Sequence, residues 1–411
     1  FILFDENTGA VSIHKVLSTP EAPDRAIMQG LVDLNIDTND LLLVHGSTVA
    51  TNAVLEGKGV RTAYITNKGL ADVLTIGRQA RKELYNLQPE KKSPLISPQH
   101  CFEVDSRLSA TGEALASLDD NDLQQLCRRI EALSPRAVAI NLLFSFINAS
   151  EEKRVEAAIV DRFSDQIFIS RSSDVLPEYK EYERGITTTL NAYVGPLMQR
   201  YLQRLEQQAP GCRLAVMQSS GGTASAHHAG RYAVHLLLSG PAGGLKGAQF
   251  SAAKSGFARL LSFDMGGTST DVSIIDQDIG FTTEGHIGDY PVAVPMVDMH
   301  TIGAGGGSIA SVDAGGLLLV GPESAGADPG PACYCKGGER PTVTDANVVL
   351  GRLLPDAFLG GRKILDQTKS EQALATIADK LGMTIHQAAT GIIDVVNDHM
   401  VRALRVMSVQ R

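Results

Sequence analysis

Apolar residues occur in short runs along the chain, separated by polar and glycine-rich stretches. Two runs, at residues 1–4 and 11–17, flank the polar segment 5–9 and predict a β-hairpin. Residues 41–44 and 60–66 predict buried strands, and the residues between them predict a helix. This alternation of strand, helix and strand indicates a parallel sheet and therefore an α/β fold.

Other segments repeat apolar residues at spacings of three and four, the pattern of a helix with one buried face. A helix is predicted after residues 19–20, with Ile27, Leu31 and Leu34 on one face. Two longer helices are predicted from the apolar sets Tyr182, Ile186, Leu190, Tyr193, Leu197, Tyr201, Leu205 and Ile385, Ala389, Ile392, Val396, Met400, Ala403, Met407. We interpret the tyrosines as core packing rather than as cofactor contacts.

The segments between these helices suggest an insertion and a second sheet. The proline-bearing residues 88–100 predict a loop, followed by a helical face at 123–133 and strands at 137–146 and 167–170. Residues 214–217 predict the next strand. The apolar run at 260–263 predicts the first strand of a second sheet.

Composition narrows the possible partners and compartments. The 411 residues suffice for two or three domains, and the formal net charge of −9 argues against nucleic acid as a partner. Five scattered cysteines form no disulfide framework and favour a reducing compartment, so we expect a cytoplasmic protein. No apolar run approaches the roughly 20 residues of a membrane span. The chain starts at Phe1 within a predicted strand, and we expect the natural protein to extend beyond both ends.

The strongest chemical signal is the turn after residues 260–263, Asp264-Met265-Gly266-Gly267-Thr268-Ser269-Thr270-Asp271. It joins two predicted strands, so it is not a P-loop, which joins a strand to a helix. Gly266 and Gly267 let phosphate approach backbone amides, and Thr268, Ser269 and Thr270 add hydroxyl donors. Asp264 and Asp271 are oxygen ligands suited to Mg²⁺. An ordinary glycine-rich hairpin turn is the alternative.

A second candidate site combines Asp298 and His300, which precede a glycine-rich loop in which we expect Gly305 and Gly306 to contact the substrate. An Asp-x-His pair can bind a metal or can orient and deprotonate a substrate or water. A histidine capping a turn and an aspartate satisfying loop amides explain the same residues.

Further candidates lie elsewhere in the chain. His45 ends a predicted strand and, with Thr48, opens the following helix, where α/β sheets place ligand contacts; a hydrogen-bonded core histidine is equally compatible. Arg78 suits an anionic substrate group or a solvated surface. Gly243 and Gly244 suit close packing or proximity to phosphate. Cys333 and Cys335 lack a second pair for zinc, and we interpret them as loop cysteines.

The turn at 264–271 resembles the phosphate loop of the superfamily of sugar and acetate kinases, actin and heat-shock ATPase chaperones. Other motifs are similar to those of the A subunit of the hydantoinase/oxoprolinase family, which includes acetone and acetophenone carboxylase subunits. These motifs are residues 45–53, 77–79, 178–184, 191–196, 217–222, 239–244, 298–308, 328–334 and 342–347. The resemblance extends over essentially the whole chain.

The resemblance implies two duplicated ribonuclease-H-like domains around a cleft. We expect the first at residues 1–255, with an α+β insertion at about 70–172, and the second at 256–411. Residues 1–9 can be aligned with 272–280, as duplication or two unrelated hairpins would produce. The family's first phosphate loop and its adenosine-binding segment would lie before residue 1 and after residue 411.

The implied activity is ATP- and Mg²⁺-dependent opening of a small cyclic amide, such as a hydantoin or 5-oxoproline, together with a second, B-type subunit in a hetero-oligomer. Asp264, Asp271, the glycines and the hydroxyls of the turn would hold Mg²⁺ and phosphates, with Asp298 and His300 at the substrate. A carboxylase subunit acting on a ketone enolate or bicarbonate, and a non-catalytic nucleotide switch, are the alternatives.

Overall fold

The computed structural model describes residues 1–16, 19, 22–79, 87, 94–358, 361 and 363–410. These residues form two compact units. The first contains Phe1–Gly243 and Phe281–Val297, and the second contains Gly244–Gly280 and the chain from Asp298 onwards. The division of the sequence at residue 255 into two duplicated domains stays a prediction.

The first unit begins with the predicted hairpin. Its elements are β1 (Ile2–Phe4), β2 (Val11–Ile13), α1 (Pro23–Asp33), β3 (Leu42–His45), α2 (Val49–Leu55), β4 (Thr62–Asn67) and α3 (Val73–Ile76). β1 and β2 pair antiparallel, with Ile2 opposite Ile13, which confirms the hairpin. Leu17, at the end of the predicted run, and Pro20 lie outside the described residues. The helix predicted after residues 19–20 is confirmed as α1, in which Leu31 is buried.

A four-stranded parallel sheet follows, flanked by two helices. This part of the chain contains β5 (Cys101–Val104), β6 (Arg107–Leu108), β7 (Ala114–Ala116), α4 (Asp120–Leu133), β8 (Ala137–Asn141), α5 (Ser150–Phe163), β9 (Phe168–Arg171) and α6 (Ser172–Val175). β6 and β7 pair with each other in a separate two-stranded sheet. The sheet order is β5-β4-β8-β9, and all three pairings are parallel. α4 begins with a capping box in which the Asp119 carboxylate accepts from the Asp122 amide. Of the predicted loop at 88–100, residues 88–93 lie outside the described residues, 94–97 form no helix or strand, and Pro98–His100 form a 3₁₀ turn.

The predicted strand–helix–strand unit at 41–66 needs correction. The three elements exist, but β3 and β4 do not share a sheet, because β3 pairs with a later strand while β4 pairs with β5 and β8. All six residues of β4 are buried. A central strand takes its partners from distant parts of the chain, and local apolar patterning carries no information about them.

The long helix that completes the first unit has the predicted buried face. The elements here are α7 (Glu181–Gln208), β10 (Arg213–Met217), β11 (Thr223–Ser225) and α8 (Ala226–Arg231). The next helix, α9 (Ser239–Lys254), begins in the first unit and belongs to the second from Gly244 onwards. β10 pairs parallel with β3 and antiparallel with β11. Tyr193 and Tyr201 of α7 are buried with Leu190 and Leu205 in the core of this unit, which confirms the interpretation of these two tyrosines as packing residues. Tyr182 is half-buried.

The second unit is built on an antiparallel hairpin. β12 (Arg259–Met265) pairs with β13 (Thr270–Asp276), whose last residues pair with β14 (Asp278–Ile279). The segment Phe281–Val297 supplies β15 (Phe281–Thr282), β16 (Gly285–Ile287), β17 (Tyr290–Val292) and β18 (Met296–Val297) to the first unit. β19 (His300–Ile302) then pairs antiparallel with β13.

The rest of the second unit is a strand pair packed on three helices. Its elements are β20 (Ser308–Val312), β21 (Leu318–Ser324), α10 (Val343–Val349), α11 (Gln367–Leu381) and α12 (Ile385–Arg405). α12, the second predicted long helix, starts at a capping box formed by Thr384 and Gln387. Ile392 and Val396 of α12 lie in a buried core with Leu374 of α11 and Val320 of β21.

Candidate functional site

The predicted phosphate turn is the tip of the β12–β13 hairpin. Asp264 lies directly opposite Asp271 in the register of the two strands. The Gly266 amide donates to the Ser269 carbonyl over 2.8 Å and closes the turn, leaving Gly267 and Thr268 exposed at its tip. Residues directly opposite each other in an antiparallel pair project from the same face of the sheet. The hairpin therefore holds two carboxylates on one face, beside an exposed glycine tip.

The charge of Asp264 affects the ionisation of Asp271. Burial raises the pKa of Asp271, and the nearby charge of Asp264 raises it further. Thr301 opposes this effect, because its hydroxyl donates to Asp271 Oδ1 over 2.5 Å and stabilises the ionised form. Facing carboxylates with an unfavourable mutual charge suit a divalent cation that would neutralise both.

The residues fit Mg²⁺ better than a metal that needs a full protein cage. Within the described parts of the chain, no group of three or more His, Cys, Asp or Glu side chains is placed to hold a metal ion. Mg²⁺ in nucleotide sites commonly takes one or two carboxylates and completes its shell with water and phosphate oxygens. Asp264 and Asp271 would supply that pair.

The glycine-rich segment before β20 contacts the turn of the β12–β13 hairpin through its backbone. The Gly306 amide donates to the Gly266 carbonyl over 3.0 Å, and the Gly307 amide donates to the Gly267 carbonyl. A β-carbon on Gly305 would lie 2.8 Å from the Gly266 oxygen and from two backbone carbons of the turn. Only glycine allows two backbones to approach so closely.

Substrate contact was predicted for Gly305 and Gly306, but their polar groups are engaged within the protein. The Gly305 amide donates to Ser308 Oγ, and the Gly306 carbonyl accepts from both the amide and the hydroxyl of Thr344. In the structure, Gly305 and Gly306 position the turn.

Thr270 and Gly244, which were also predicted near the phosphates, contact other parts of the second unit. The buried Thr270 hydroxyl donates to the Ala304 carbonyl over 2.6 Å, so it ties β13 to the glycine segment. A β-carbon on Gly244 would lie 4.0 Å from Asp264 Oδ2, so the backbone of α9 passes close to this carboxylate.

His300 lies on the other face of the same sheet. It pairs with Val272, whereas Thr301 pairs with Asp271, and neighbouring residues of a strand project to opposite faces. Val272 packs against Ala403 of α12, and His300 lines a cavity formed partly by α12. The structure therefore does not bring His300 together with Asp264 and Asp271.

Asp298 lies in the second unit, shortly before β19 in the chain. Its amide donates to the Gly280 carbonyl, and its carbonyl accepts from the Ser273 hydroxyl over 2.6 Å. The backbone of Asp298 is thus fixed to β13 and to the residue after β14.

In the first unit, His45 and Thr48 lie where two parallel strands end. His45 is the last residue of β3, and its Nε2 is 2.8 Å from the Tyr201 hydroxyl. Burial lowers the pKa of His45 to about 4, so the imidazole is neutral at physiological pH. Thr48 is the residue before α2.

The glycine motif at the start of α9 packs onto this strand end. A β-carbon on Gly240 would lie 3.6 Å from Thr48 Cγ2, and the Ser239 hydroxyl donates to the Ser47 carbonyl. A β-carbon on Gly243 would lie 3.7 Å from the Met217 side chain at the end of β10. Close packing is therefore what the structure shows for Gly243.

Arg78 and Cys333 have partners that limit their chemistry. Arg78 forms a two-pronged ion pair with Glu183 of α7, at 2.7 and 2.5 Å, so any substrate anion would compete with this carboxylate. Burial raises the pKa of the Cys333 thiol to about 12, which keeps it protonated and agrees with a structural role.

Sequence reasoning missed Thr301, Thr344 and Tyr201 as supporting residues. Thr301 lies between His300 and the glycine segment, so strand alternation alone could have assigned it to the face of Asp271. Tyr201 lies 156 residues from His45, and Thr344 lies 38 residues from Gly306. No local pattern connects such distant pairs.

The described helices include none with the length and apolarity needed to cross a bilayer. The family profile for hydantoinase/oxoprolinase matches residues 184–411, and the profile for the N-terminal region of that family matches residues 1–163.

The relatives of this chain include the alpha subunit of a caprolactamase and a 5-oxoprolinase. The alpha subunit of caprolactamase from Pseudomonas jessenii is 35% identical over 429 residues, covering 100% of this chain and 61% of the subunit. 5-oxoprolinase 1 from Arabidopsis thaliana is 34% identical, covering 88% of this chain and 31% of its own.

Two solved structures are similar over nearly the whole chain. Nucleotide-free acetone carboxylase, described as carrying out ATP-dependent acetone carboxylation, has a TM-score of 0.83 at 27% identity, covering 99% of this chain and 61% of that one. The crystal structure of the ATP-dependent caprolactamase from Pseudomonas jessenii has a TM-score of 0.81 at 34% identity, covering 100% and 61%.

This chain thus spans less than two thirds of the length of these relatives. Both similar structures have mixed helices and strands, as this chain does. Since the two profiles together match residues 1–163 and 184–411, the chain belongs to the hydantoinase/oxoprolinase family.

Proposed function

We propose that this chain is the ATP-using part of an enzyme that opens a small cyclic amide of the hydantoin or 5-oxoproline type. The observation that carries this proposal is the pair Asp264 and Asp271, which face each other beside the glycine tip of the β12–β13 hairpin. The similarity to an ATP-dependent caprolactamase over the full chain supports an amide as substrate.

The proposed chemistry starts from the low reactivity of an amide carbonyl, which resonance makes a poor electrophile. Transfer of the γ-phosphoryl group of ATP to the amide oxygen releases ADP and leaves an imidate-like phosphate. Water then adds to the carbon, and the C–N bond of the ring breaks as the nitrogen takes up a proton and leaves, which gives a ring-opened acyl phosphate. A second water hydrolyses this acyl phosphate to the carboxylate and inorganic phosphate. Catalysis of the first transfer rests mainly on positioning and on stabilising spread negative charge.

Each residue of the hairpin has a proposed part in that transfer. Asp264 and Asp271 would hold Mg²⁺, which supplies positive charge to the phosphates. The backbone of Gly266 and Gly267 and the exposed Thr268 would contact phosphate oxygens. Ser269 and Thr270 complete the turn. Thr301 would keep Asp271 ionised for this purpose.

Substrate contacts are proposed for residues outside the hairpin. A neutral His45, held by Tyr201 at the end of β3, can donate or accept a hydrogen bond without introducing charge. Thr48 adjoins it. Asp298 stays a proposed substrate residue, whereas catalysis by His300 would need a substrate on the face of the sheet opposite Asp271.

The proposal extends to the fold and the assembly. The antiparallel order of β12, β13 and β19 is consistent with the start of a ribonuclease-H-like domain. The β1–β2 hairpin is consistent with a duplicated counterpart in the first unit. We further propose a B-type second subunit that completes the hydrolysis, and a cytoplasmic location.

ATP-dependent carboxylation is the second candidate, and the TM-score of 0.83 to acetone carboxylase favours keeping it. It would use the same hairpin to phosphorylate a ketone enolate or bicarbonate. The two reactions differ in their requirement for bicarbonate.

The deciding experiment measures ADP release from the full-length protein, with and without its partner subunit. The substrates are 5-oxoproline, hydantoin, caprolactam, acetone with bicarbonate, and none. Release stimulated by one lactam without bicarbonate supports ring opening. Stimulation that requires bicarbonate supports carboxylation. ATP binding with no stimulation by any compound contradicts both and favours a nucleotide switch.

A further inference from the structure

The second unit contains a cavity of about 300 Å³ on the face of the sheet opposite Asp264 and Asp271. β19 and β21 form one wall and the C-terminal half of α12 forms the other. This volume lies at the lower end of the range for small-molecule sites in proteins. The proposed ATP chemistry makes no use of the cavity.

Most of the cavity wall is apolar. Ile302 and Val320 line it from the strands, and Ala403 and Val406 line it from α12 and the turn that follows. Such a surface favours a short hydrocarbon body over a fully polar ligand, because apolar area leaves water when it is covered.

The polar side chains at the cavity share one kind of charge. They are the basic residues His300, His399 and Arg402, and none of the described residues that line the cavity is acidic. Asp398, one helical turn before Arg402, pairs with one guanidinium nitrogen at 2.6 Å. A guanidinium has five N–H donors, so this pairing leaves further donors for a second carboxylate.

From this combination we propose that the cavity binds a small carboxylate with a short apolar body. The carboxylate lies at Arg402 and His399, and the apolar body lies against Ile302 and Val320. Since His300 and Asp271 project from opposite faces of the sheet, this site is separate from the phosphate hairpin. The inference does not depend on the proposed reaction, because binding is measured without ATP.

The test uses hexanoate as the probe and calorimetric titration of the full-length protein as the measurement. Hexanol, which has the same body without the charge, and inorganic phosphate, which has charge without the body, are the comparison ligands. We expect hexanoate to bind and both comparison ligands to bind at least about tenfold more weakly.

Variants then locate the binding. Arg402→Gln should weaken hexanoate binding about tenfold or more, and His399→Gln should weaken it severalfold. Arg405→Gln and His386→Gln, exposed changes on the same helix but outside the cavity, should leave it unchanged.

A third variant separates this site from the hairpin. Asp271→Asn should bind hexanoate as the wild type does, whatever happens to ATP turnover. The proposal is overturned by absence of hexanoate binding, by equal binding of hexanol, or by affinity that survives both cavity variants.

Discussion

Two candidate residues of this protein, Asp271 and His45, differ in how their surroundings affect their charge. At the hairpin, Asp264 and Asp271 face each other, and burial together with their mutual repulsion disfavours the ionised form of Asp271. At the end of β3, burial instead keeps the base His45 neutral beside Tyr201. The first arrangement suits recruitment of a cation, and the second suits hydrogen bonding without charge.

Replacing Asp271 by asparagine should separate activity from stability. A carboxyl whose folded-state pKa is raised makes the protein less stable as pH rises above about 3.8, where the unfolded chain ionises. The variant should therefore have a Tm near neutral pH at least equal to that of the wild type. Its ATP turnover should fall about 100-fold or more, because a metal ligand is lost.

Asp276→Asn is the matched control. Asp276 ends the same strand, is exposed and pairs with Arg259, away from the turn. Its turnover should equal that of the wild type. Near-normal turnover of Asp271→Asn, measured as ADP release, would remove the hairpin from the proposed site.

His45 gives a prediction about pH. Because its folded-state pKa is lowered to about 4, its stabilising contribution is complete above pH 6.5 and is lost as pH falls towards 4. His45→Gln should therefore lose less stability between pH 7 and pH 5 than the wild type, as measured by urea unfolding. The exposed His386→Gln should match the wild type, and an unchanged acid sensitivity of His45→Gln would contradict a buried neutral imidazole.

At the scale of elements, backbone contacts from the glycine segment position the turn of the hairpin, and the Thr270 hydroxyl adds a side-chain hydrogen bond to the same segment. Gly306 and Gly307 donate to carbonyls of the turn, while Gly305 leaves room for that approach. This arrangement fixes the turn on a buried layer that continues into β20 and α10, where Thr344 binds Gly306. The rigidity of the proposed phosphate site thus depends on the glycine segment.

Gly305→Ala tests that dependence. The added β-carbon would lie 2.8 Å from backbone atoms that cannot rotate away, so we expect a stability loss of about 1–3 kcal/mol and weaker ATP binding. Gly247→Ala in α9, where a β-carbon meets nothing within 4 Å, should instead gain about 0.5–1 kcal/mol. Urea unfolding and nucleotide titration measure both effects, and equal behaviour of the two variants would argue against a supporting role for Gly305.

The elements also show what sequence patterns can and cannot predict. The two strands around Gly266 and Gly267 and the long helices α7 and α12 were predicted because local periodicity determines them. The separation of β3 and β4 into different sheets was not, because strand pairing depends on distant partners. Asp264 and Asp271 were predicted as oxygen ligands at the two ends of the turn, whereas their direct pairing depends on the register of β12 and β13. The position of His300 on the other face depends on β19 pairing with β13, which no local motif reports.

Across the molecule, each unit has its own core, and the first also contains a buried polar network. Arg184 of α7 is fully buried and donates to the side chains of Asn141 and Ser172 and to two backbone carbonyls. Glu152, also fully buried, accepts from Ser172 at 2.6 Å. This network connects α7 to the four-stranded parallel sheet.

Arg184→Met should destabilise the protein by about 3–5 kcal/mol, because the buried Asn141 side chain and the carbonyls of Leu142 and Glu178 lose their hydrogen-bond donor. Arg200→Met, an exposed change on the same helix, should have little effect. The midpoint of urea unfolding followed by circular dichroism measures both. A loss for Arg184→Met no larger than that for Arg200→Met would show that the network does not stabilise this unit.

Positioning the hairpin through main-chain contacts also determines which inherited changes the protein can tolerate. Every missense change of a glycine codon adds a β-carbon, and at Gly305 that carbon collides with the turn in any rotamer. No single-nucleotide missense change at this codon is therefore neutral, whereas Asp276, at the exposed far end of β13, can vary without steric conflict and without loss of a proposed phosphate contact. Natural variants of this region should accumulate at that far end of the hairpin and be absent from the glycines that contact the turn.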